Sequence, residues 1–426
     1  MTVPFPELSQ FRIEEAREGI VHFVFDSPDR SMNVLSNKAI HELGEFAEWL
    51  HGADVRGVVV RSGKETGFCA GADLTELGVA YDMIVAAKPA DRFDIGFNHF
   101  FPLSHAIRRL ETSGKPVAVA IAGVALGGGC ELAMGCHYRV LTRNPKAVLG
   151  LPECQVGLLP GAGGTQRMTR LVGVQNGLDV LLLAKTYSGD EAVSAGLVHA
   201  LVEPGNEIEA AEDWILSDES FAVQPWDEPT HVPANHADYA GVIESHRARE
   251  LDRMLGHEPA PLAILDCVEL GLMQPMDGAI RAEMSVFAGL IQRPEPRNMI
   301  RSMFLGKQAY DKARRSDAIS PEVTAAAETI GHVVTEALDN VPGLRSALFG
   351  GSDSEASPVQ QRPGQHLWLL TQDTLVAGLA NVVAKAREIT SSMDEKNLLQ
   401  LDHLVTVRHG VPAYIGGVSG LATLPC

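Results

Sequence analysis

The sequence is short of positive charge and of long apolar stretches. Its 426 residues carry 35 Lys and Arg against 54 Asp and Glu, a formal net charge of −19 with a pI near 5.2. So acidic a chain, without a block rich in lysine and arginine, is poorly suited to hold nucleic acid or an anionic membrane. Its longest apolar stretches, 117–126 and 180–184, fall far short of the roughly 20 residues that span a bilayer. We therefore expect neither a nucleic-acid partner nor a membrane partner.

Patterns for targeting, disulfides and metals are missing as well. The first residues resemble neither a signal peptide nor a transit peptide. The cysteines are scattered rather than spaced as in a disulfide scaffold, at Cys69, Cys130, Cys136, Cys154, Cys267 and Cys426. No CxxC, CxxH or HExxH pattern occurs, so we expect no metal site unless histidines and carboxylates distant in sequence converge. Together these features predict a soluble, cytoplasmic protein.

Nucleotide-binding motifs are absent, although three stretches are rich in glycine: 68–73, 127–131 and 159–164. Glycines between a strand and a helix free backbone N–H groups to point at an anion. None of these stretches gives a GxGxxG opening a helix with an acidic residue about 20 positions later, and no GxxxxGK[ST] occurs. We therefore expect no dinucleotide or ATP site. The simpler alternative is that these glycines only make tight turns.

The first half of the chain alternates between short strand-like runs and helical patterns. Strands are predicted at 21–25, 55–60 and 116–125. A helix is predicted from an N-cap at Ser36 to a stop at Gly52, with apolar residues at helical spacing between them. Such alternation favours an α/β architecture.

The chain divides by composition into three segments, and no internal repeat is visible. Residues 1–205 have the α/β pattern, and 206–315 lose the strand-like runs and look helical. Residues 316–426 form a third segment of unknown role, again with helical spacing, in which 350–364 have the composition of a linker.

Two glutamates lie beside the glycine-rich stretches. Glu131 falls in the first turn of a predicted helix just after Gly129, and Glu153 falls in a predicted turn. Two such carboxylates suit acid–base chemistry. A glutamate in a first helical turn is equally well explained as compensation of the helix dipole. The residues alone leave both explanations open.

The residues around these glutamates closely resemble the crotonase (enoyl-CoA hydratase/isomerase) superfamily. The matching words are SMNVLS at 31–36, CAGAD at 69–73, GVALGGGCELAM at 123–134, LGLPE at 149–153, GLLPGAGGTQR at 157–167 and SGDEAVSAGLV at 188–198. The resemblance implies a crotonase (ClpP-like) ββα spiral core over 1–205. In the full chain, this α/β core would be followed by a helical region and a helical C-terminal appendage.

By this resemblance, five residues would form the catalytic centre. The N–H groups of Ala72 and Gly128 would form an oxyanion hole for a thioester carbonyl. Glu131 and Glu153 would flank a water molecule or the reactive carbons of the substrate, and the N–H of Gly161 would help to hold that water. Adding water to a 2-enoyl thioester places negative charge on the carbonyl oxygen and requires one base and one acid, which this set supplies.

The resemblance also implies contacts to coenzyme A. Ala70 and Asp73 would lie at the coenzyme A binding site, with Ala70 near the adenine. Thr75 stands where some relatives direct a basic residue at the coenzyme phosphates, so that contact is in doubt, with Arg61 and Lys64 as substitutes. The acyl tail would lie against apolar residues that could equally be plain core, namely Met83, Ile84, Phe93, Phe97 and Phe101.

Within the superfamily, the chain is most similar to the hydratase half of multifunctional fatty-acid oxidation enzymes. In those enzymes a long helix, to which 266–315 is similar, leads to an NAD-dependent hydroxyacyl-CoA dehydrogenase. After Arg315 no strand followed by GxGxxG occurs, so we expect the dehydrogenase domain to be missing. His137 stands where many relatives have aspartate, and we expect it to be a packed or capping residue.

The resemblance therefore implies a 2-trans-enoyl-CoA hydratase of fatty-acid β-oxidation or a related acyl-CoA pathway, with Δ3-Δ2-enoyl-CoA isomerase activity as an addition. Alternatives are another crotonase-type acyl-CoA enzyme (isomerase, hydrolase or decarboxylase) or a weakly catalytic assembly subunit. We expect no cofactor beyond the coenzyme A of the substrate. The expected partners are further copies of the chain, in a trimer or hexamer, and a dehydrogenase or thiolase.

Overall fold

The computed structural model describes residues 4–65, 67–254, 256–341, 343–349 and 378–424. Their contacts group into two compact units. The first takes its residues from Met1–Cys154, Leu159–Ile243 and Ile264–Ala288, and the second from Gln155–Leu158, Glu244–Ala263 and Gly289–Cys426. The three segments predicted from composition remain a prediction, and their linker-like part, 350–364, lies outside the described residues.

The first unit contains the strands. They are β1 Phe11–Glu15, β2 Ile20–Phe25, β3 Gly57–Ser62, β4 Gly67–Cys69, β5 Val117–Ile121, β6 Val124–Leu126, β7 Tyr138–Thr142, β8 Val148–Gly150, β9 Thr186–Ser188 and β10 Ala200–Val202. In the described part of the chain they form a six-stranded sheet, in the order β1-β2-β3-β5-β7-β10, and a four-stranded sheet, in the order β4-β6-β8-β9. Pairing is parallel except at β1–β2 and β8–β9. The two central strands of the larger sheet, β3 and β5, consist mostly of valine and alanine, and Val58–Val60 and Val117–Ile121 are buried, as is usual for parallel strands covered on both faces.

The strands predicted at 21–25 and 55–60 are confirmed as β2 and β3. The single strand predicted at 116–125 is wrong, because the chain leaves the larger sheet after Ile121 and enters the smaller sheet at Val124. Apolar residues continue through this crossover, so the hydrophobic pattern alone does not mark it.

The helices of the first unit lie between these strands or follow them. They are α1 Asn37–Gly52, α2 Leu74–Ala86, α3 Arg92–Glu111, α4 Gly128–Gly135, α5 Gly164–Val172, α6 Val174–Leu183, α7 Gly189–Ser194 and α8 Glu207–Leu216. The predicted cap of α1 is confirmed, since the Ser36 hydroxyl accepts a hydrogen bond from the Ala39 N–H at 3.2 Å. Three further helices contribute to both units: α9 Ala240–Met254, α10 Pro259–Gly271 and α11 Met276–Leu290.

The second unit is helical throughout its described residues. Its helices are α12 Pro294–Met299, a π-helical turn Ile300–Leu305, α13 Gly306–Arg315, α14 Pro321–Asn340, α15 Leu344–Phe349, α16 Ala380–Ser392, α17 Glu395–His409 and α18 Gly417–Ala422. They enclose an apolar core of their own, in which the buried Tyr414 donates its hydroxyl hydrogen to the carbonyl oxygen of Leu348 at 2.9 Å. The predicted α/β core with a helical C-terminal part is thus confirmed. Within the described residues, no helix combines the length and apolarity needed to cross a membrane.

Candidate active site

Glu131 is buried in the first turn of α4, the helix that follows β6. Its Oε1 accepts hydrogen bonds from the N–H groups of Ala162 and Gly164, both at 2.7 Å. Burial raises the pKa of Glu131 to about 7, although the two amides and the charge of Arg167 favour the ionised form. A carboxyl group with a pKa near neutrality can accept or release a proton at physiological pH.

Glu153 opens the 3-10 turn Glu153–Val156 that follows β8. A Cβ built on Gly127 would lie only 2.9 Å from its Oε1, so the carboxyl group lies against the backbone at the start of α4. Gly127 also has φ +54, a left-handed conformation that favours glycine. The Oε2 atom of Glu153 is buried and has no hydrogen-bond partner among the described residues. Burial, followed by the charges of Glu131 and Glu283, raises the pKa of Glu153 well above its usual range.

A third glutamate, Glu283 on α11, completes the cluster and was missed by the sequence analysis. It is fully buried, and its Oε1 accepts a hydrogen bond from the Gly163 N–H at 2.6 Å. Its Oε2 accepts from the Thr165 N–H at 3.0 Å and from the Thr165 hydroxyl. Burial and the neighbouring Glu131 raise its pKa to about 8, against the effect of these hydrogen bonds.

A signal for Glu283 was present in the sequence. It sits on the same face of α11 as Ile280, Met284 and Phe287, all of which are buried. A single acidic residue on an otherwise apolar helix face predicts a buried carboxylate with dedicated partners, because such a group is costly to bury alone.

The two segments predicted to form the oxyanion hole lie side by side. The Leu35 N–H donates to the Gly71 carbonyl oxygen at 2.8 Å, and Leu35 forms a parallel bridge with Ala72. A Cβ built on Gly71, which has φ +98, would lie 3.1 Å from the Leu126 carbonyl oxygen and 3.5 Å from the Gly128 nitrogen. Ala72 and Gly128 therefore belong to adjoining backbone segments. Their role in charge stabilisation stays a prediction.

Gly161 comes directly before Ala162, whose N–H donates a hydrogen bond to Glu131. A Cβ built on Gly161 would lie 3.2 Å from Phe287 Cδ2 and 3.7 Å from Met284 Cε, so α11 forms an apolar wall beside it. A second apolar contact lies at Gly128, where a Cβ would meet Leu35 Cδ1 at 2.7 Å. Water positioning by Gly161 stays a prediction.

Asp73 caps α2, because its Oδ1 accepts a hydrogen bond from the Thr75 N–H at 3.0 Å. Its Oδ2 pairs with Arg30 at 2.7 Å, a basic residue that the sequence analysis did not consider. Ala70 is exposed next to this pair, and its N–H donates to the Asn33 carbonyl oxygen at 3.0 Å. The predicted coenzyme A contacts of Ala70 and Asp73 stay predictions.

The two basic residues considered as substitutes for Thr75 already have partners. Arg61 donates to the ring of His22 at 3.1 Å and pairs with Glu14, and Lys64 pairs with Asp26 at 2.6 Å. Either would have to exchange its carboxylate for a coenzyme phosphate. Arg30 likewise has a carboxylate partner, Asp73.

His137 is a packed residue, as expected from the sequence. Its Nδ1 accepts a hydrogen bond from the Val117 N–H at 3.1 Å, and its Nε2 lies 3.0 Å from the Glu111 carbonyl oxygen. Burial lowers its pKa to about 4, so it is neutral at physiological pH.

The residues proposed for an acyl wall do not share one environment. Ile84 is fully buried, whereas Met83 and Phe93 are 46% and 42% exposed, and Phe97 and Phe101 are half-buried. Only Ile84 is therefore plain core. Among the described residues, no group of three or more His, Cys, Asp or Glu side chains is arranged to hold a metal ion.

Buried carboxyl groups with raised pKa values beside glycine backbone are features of an acid–base site. Comparison with known proteins agrees. The sequence model of the family Enoyl-CoA hydratase/isomerase matches residues 15–216. This match assigns residues 15–216 of the chain to the enoyl-CoA hydratase/isomerase, or crotonase, family.

The sequence is also similar to curated proteins and to solved structures. Fatty acid oxidation complex subunit alpha of Shewanella sp. (strain ANA-3) is 31% identical over 422 residues, which cover 97% of this chain and 53% of the relative. The corresponding subunit of Shewanella halifaxensis is 29% identical with the same coverage. A protein from Hyphomonas neptunium assigned to the enoyl-CoA hydratase/isomerase family is 30% identical, with a TM-score of 0.42, over 48% of this chain and 74% of its own. The chain thus spans about half the length of the curated relatives it matches.

Proposed function

We propose that the chain is a 2-trans-enoyl-CoA hydratase that converts enoyl-CoA thioesters to 3-hydroxyacyl-CoA, in fatty-acid β-oxidation or a related acyl-CoA pathway. The observation that carries the proposal is the pair Glu131 and Glu153. Both carboxyl groups approach the glycine backbone at the start of α4, yet they have different partners. Two titratable groups whose environments differ in this way suit the separate roles of base and acid.

The partners suggest which glutamate takes which role. Two backbone amides and the charge of Arg167 favour the ionised form of Glu131, which makes it the base. Glu153 has a buried oxygen without a partner, and burial and the charge of Glu131 raise its pKa, so it is the acid. Glu131 removes a proton from water while the oxygen of that water bonds to C3 of the substrate, and Glu153 delivers a proton to C2. The proton on Glu131 then passes to Glu153, and the net change is the addition of one water molecule.

The negative charge that develops on the thioester oxygen needs fixed donors. The N–H groups of Ala72 and Gly128, on adjoining backbone segments, are assigned this role. Loss of one such donor typically lowers the rate by roughly 10²- to 10³-fold. Gly161 would hold the water on the side opposite the apolar wall of α11.

Binding of the substrate is assigned to the exposed segment around Ala70 and Asp73, with Arg30 as an additional candidate for the coenzyme phosphates. Coenzyme A enters as part of the substrate, and the scheme needs no further cofactor. Further copies of the chain, in a trimer or hexamer, and a dehydrogenase or thiolase that consumes the product are proposed partners.

A second activity, Δ3-Δ2-enoyl-CoA isomerisation, is favoured by the unpartnered oxygen of Glu153. Moving the double bond from C3–C4 to C2–C3 requires one carboxyl group that takes a proton from C2 and returns it to C4, and needs no water. Glu153 can do this with the same oxyanion hole.

The test is an ultraviolet assay for loss of the conjugated thioester absorbance, with crotonyl-CoA and a longer 2-enoyl-CoA. Wild type is compared with Glu131→Gln and Glu153→Gln, and we expect turnover to fall by roughly 10²- to 10⁴-fold in each. The matched control is Glu42→Gln, a buried glutamate of the same unit that accepts hydrogen bonds from backbone N–H groups of residues 9–11. Folded wild type that binds the thioesters without turnover would rule out the hydratase. Isomerisation that is lost in Glu153→Gln and retained in Glu131→Gln would favour the isomerase.

A further inference from the structure

Four consecutive backbone amides at the N-terminus of α5 are divided between two glutamates. The N–H groups of Ala162 and Gly164 donate to Glu131, and those of Gly163 and Thr165 donate to Glu283. The alternation follows from Gly163, whose φ of +89 turns successive amides to opposite sides. N-terminal amides of a helix have no acceptor within the helix. Here carboxylates from elsewhere in the chain accept the hydrogen bonds of all four amides.

We propose that Glu283 is a positioning residue of the reaction: it holds the loop on which Glu131 depends, and its negative charge, present at alkaline pH, delays the loss of the proton from Glu153. This inference rests on the proposed function. It assigns to Glu283 no contact with substrate or water.

The positional part of the argument concerns the loop 161–165. Glu283 takes two of its amides and the Thr165 hydroxyl, and the Gln166 side chain donates to that hydroxyl oxygen at 2.9 Å, which directs the hydroxyl hydrogen toward Glu283. Glu131 takes the other two amides from the opposite side. If Glu283 released the loop, the amides of Ala162 and Gly164 would no longer be fixed against Glu131.

The electrostatic part concerns the charged groups that face Glu283. The acidic neighbours are the carboxyl groups of Glu131 and Glu153, and Cys267 on α10 is a buried thiol. Arg167 is committed to Glu111 through two hydrogen bonds of 3.0 and 2.8 Å, and Arg170 donates to the carbonyl oxygens of Gln166, Gly271 and Gln274.

Among the described residues, neither arginine forms a hydrogen bond with Glu283. Above its pKa of about 8, Glu283 is ionised and is a negative neighbour of Glu153, Arg167 and Arg170. Like charges disfavour a further ionisation, so Glu283 raises the pH at which Glu153 gives up its proton.

The experiment is the pH dependence of kcat/KM and kcat for wild type, Glu283→Gln and Glu283→Asp. Glutamine keeps the shape of the side chain and removes the charge. Aspartate keeps the charge but is one methylene shorter. Glu42→Gln again controls for the general effect of neutralising a buried glutamate that binds backbone amides.

We expect the alkaline limb of the profile to move to lower pH by about one unit in Glu283→Gln. In Glu283→Asp and in Glu42→Gln the limb should stay where it is in wild type. The looser loop should lower kcat by up to about 100-fold in both Glu283 variants. A fall in kcat at every pH without movement of the limb would overturn the proposal, because Glu283 would then be only structural.

An infrared titration of the free protein separates this inference from the proposed function. The protein is labelled with ¹³C-glutamate, and the carboxyl band of Glu153 is identified by its loss in Glu153→Gln. In Glu283→Gln this band should titrate at lower pH than in wild type. If wild type has no hydratase activity, this measurement still tests the influence of Glu283 on Glu153. An unshifted band would overturn the inference whatever the activity is. If Glu283→Gln does not fold, Glu283→Asp alone tests the proposal. A wild-type limb and band with a reduced kcat in Glu283→Asp would support the proposal, and a shifted limb would overturn it.

Discussion

Helix α5 takes part in two buried carboxylate sites that differ in their partners. At its N-terminus, backbone amides meet Glu131 and Glu283. Farther along the helix, the guanidinium of Arg167 meets Glu111 with 3.0 and 2.8 Å hydrogen bonds, and neither side chain is exposed. The first site offers only neutral donors, and the second offers full positive charge.

The pKa values of the carboxyl groups at the two sites are shifted in opposite directions. Burial alone would raise the pKa of Glu111, but Arg167 and Arg108 together outweigh it and lower the pKa. Glu131 has amides in place of guanidinium groups, and its pKa rises to about 7. A buried carboxylate paired with arginine is thus fixed in its charged form and serves structure. One paired with amides can exchange its proton, which suits catalysis.

The largest effect is expected from removing positive charge at the structural site. Arg167→Met leaves Glu111 buried with Arg108 alone, and breaking a buried pair in this way typically costs about 3–5 kcal/mol of unfolding free energy. Urea denaturation measures it. The control is Arg109→Met, whose partially exposed pair with Glu48 should cost less than about 1 kcal/mol. Equal losses in the two variants would contradict the distinction between the sites.

The next effect concerns the backbone at the catalytic site. A Cβ on Gly164 would lie 2.6 Å from Glu131 Oε1, so Gly164→Ala should displace the carboxylate and lower kcat by roughly 10²-fold while the protein still folds. In Gly52→Ala, where nothing lies within 4 Å of the new Cβ, kcat should not change. Steady-state kinetics with circular dichroism checks both. Full activity in Gly164→Ala would show that Glu131 need not be held by this amide.

A third effect is the pH dependence of stability. The pKa of Glu131 is about 7 and that of Glu283 about 8, both raised above their unfolded values. As pH rises from about 4.5 to 8, the unfolded chain loses these protons first, so the free energy of unfolding should fall.

The part due to Glu131 should be roughly 3 kcal/mol and should disappear in Glu131→Gln. Glu111 has the opposite sign, since its stabilisation is lost only as pH falls through its lowered pKa. Denaturation curves at a series of pH values measure the slope. An equal slope in Glu131→Gln would contradict the raised pKa.

The smallest effect is expected at the surface. Arg30 is 46% exposed beside Asp73, so Arg30→Ala should change the unfolding free energy by less than about 1 kcal/mol. If Arg30 meets the coenzyme phosphates, KM for the thioester should rise by less than about tenfold with kcat unchanged. Arg17→Ala is the control, because it removes an exposed arginine that pairs with Glu212 and Asp213 instead. An identical KM in Arg30→Ala and wild type would exclude this contact.

The features predicted correctly from the sequence are those that depend on residues close together in the chain. Motif words and a cap at Ser36 indicated the core and α1, and the two glutamates beside glycine backbone were found by position. The break between β5 and β6 was missed, because the apolar pattern runs through it unchanged. Glu283 was missed for a different reason. Its partners lie on a loop distant in sequence, and only the folded chain brings α11 to it.

The division of four amides between Glu131 and Glu283 has a consequence for the order of assembly. The ribosome releases β1 to α5 long before α11, so the loop 161–165 first exists with only one of its two anchors. Contacts between distant parts of a chain tend to form late in folding, because they require the closure of a long loop. Catalytic competence should therefore emerge only after the sheets have formed and α11 has been synthesised.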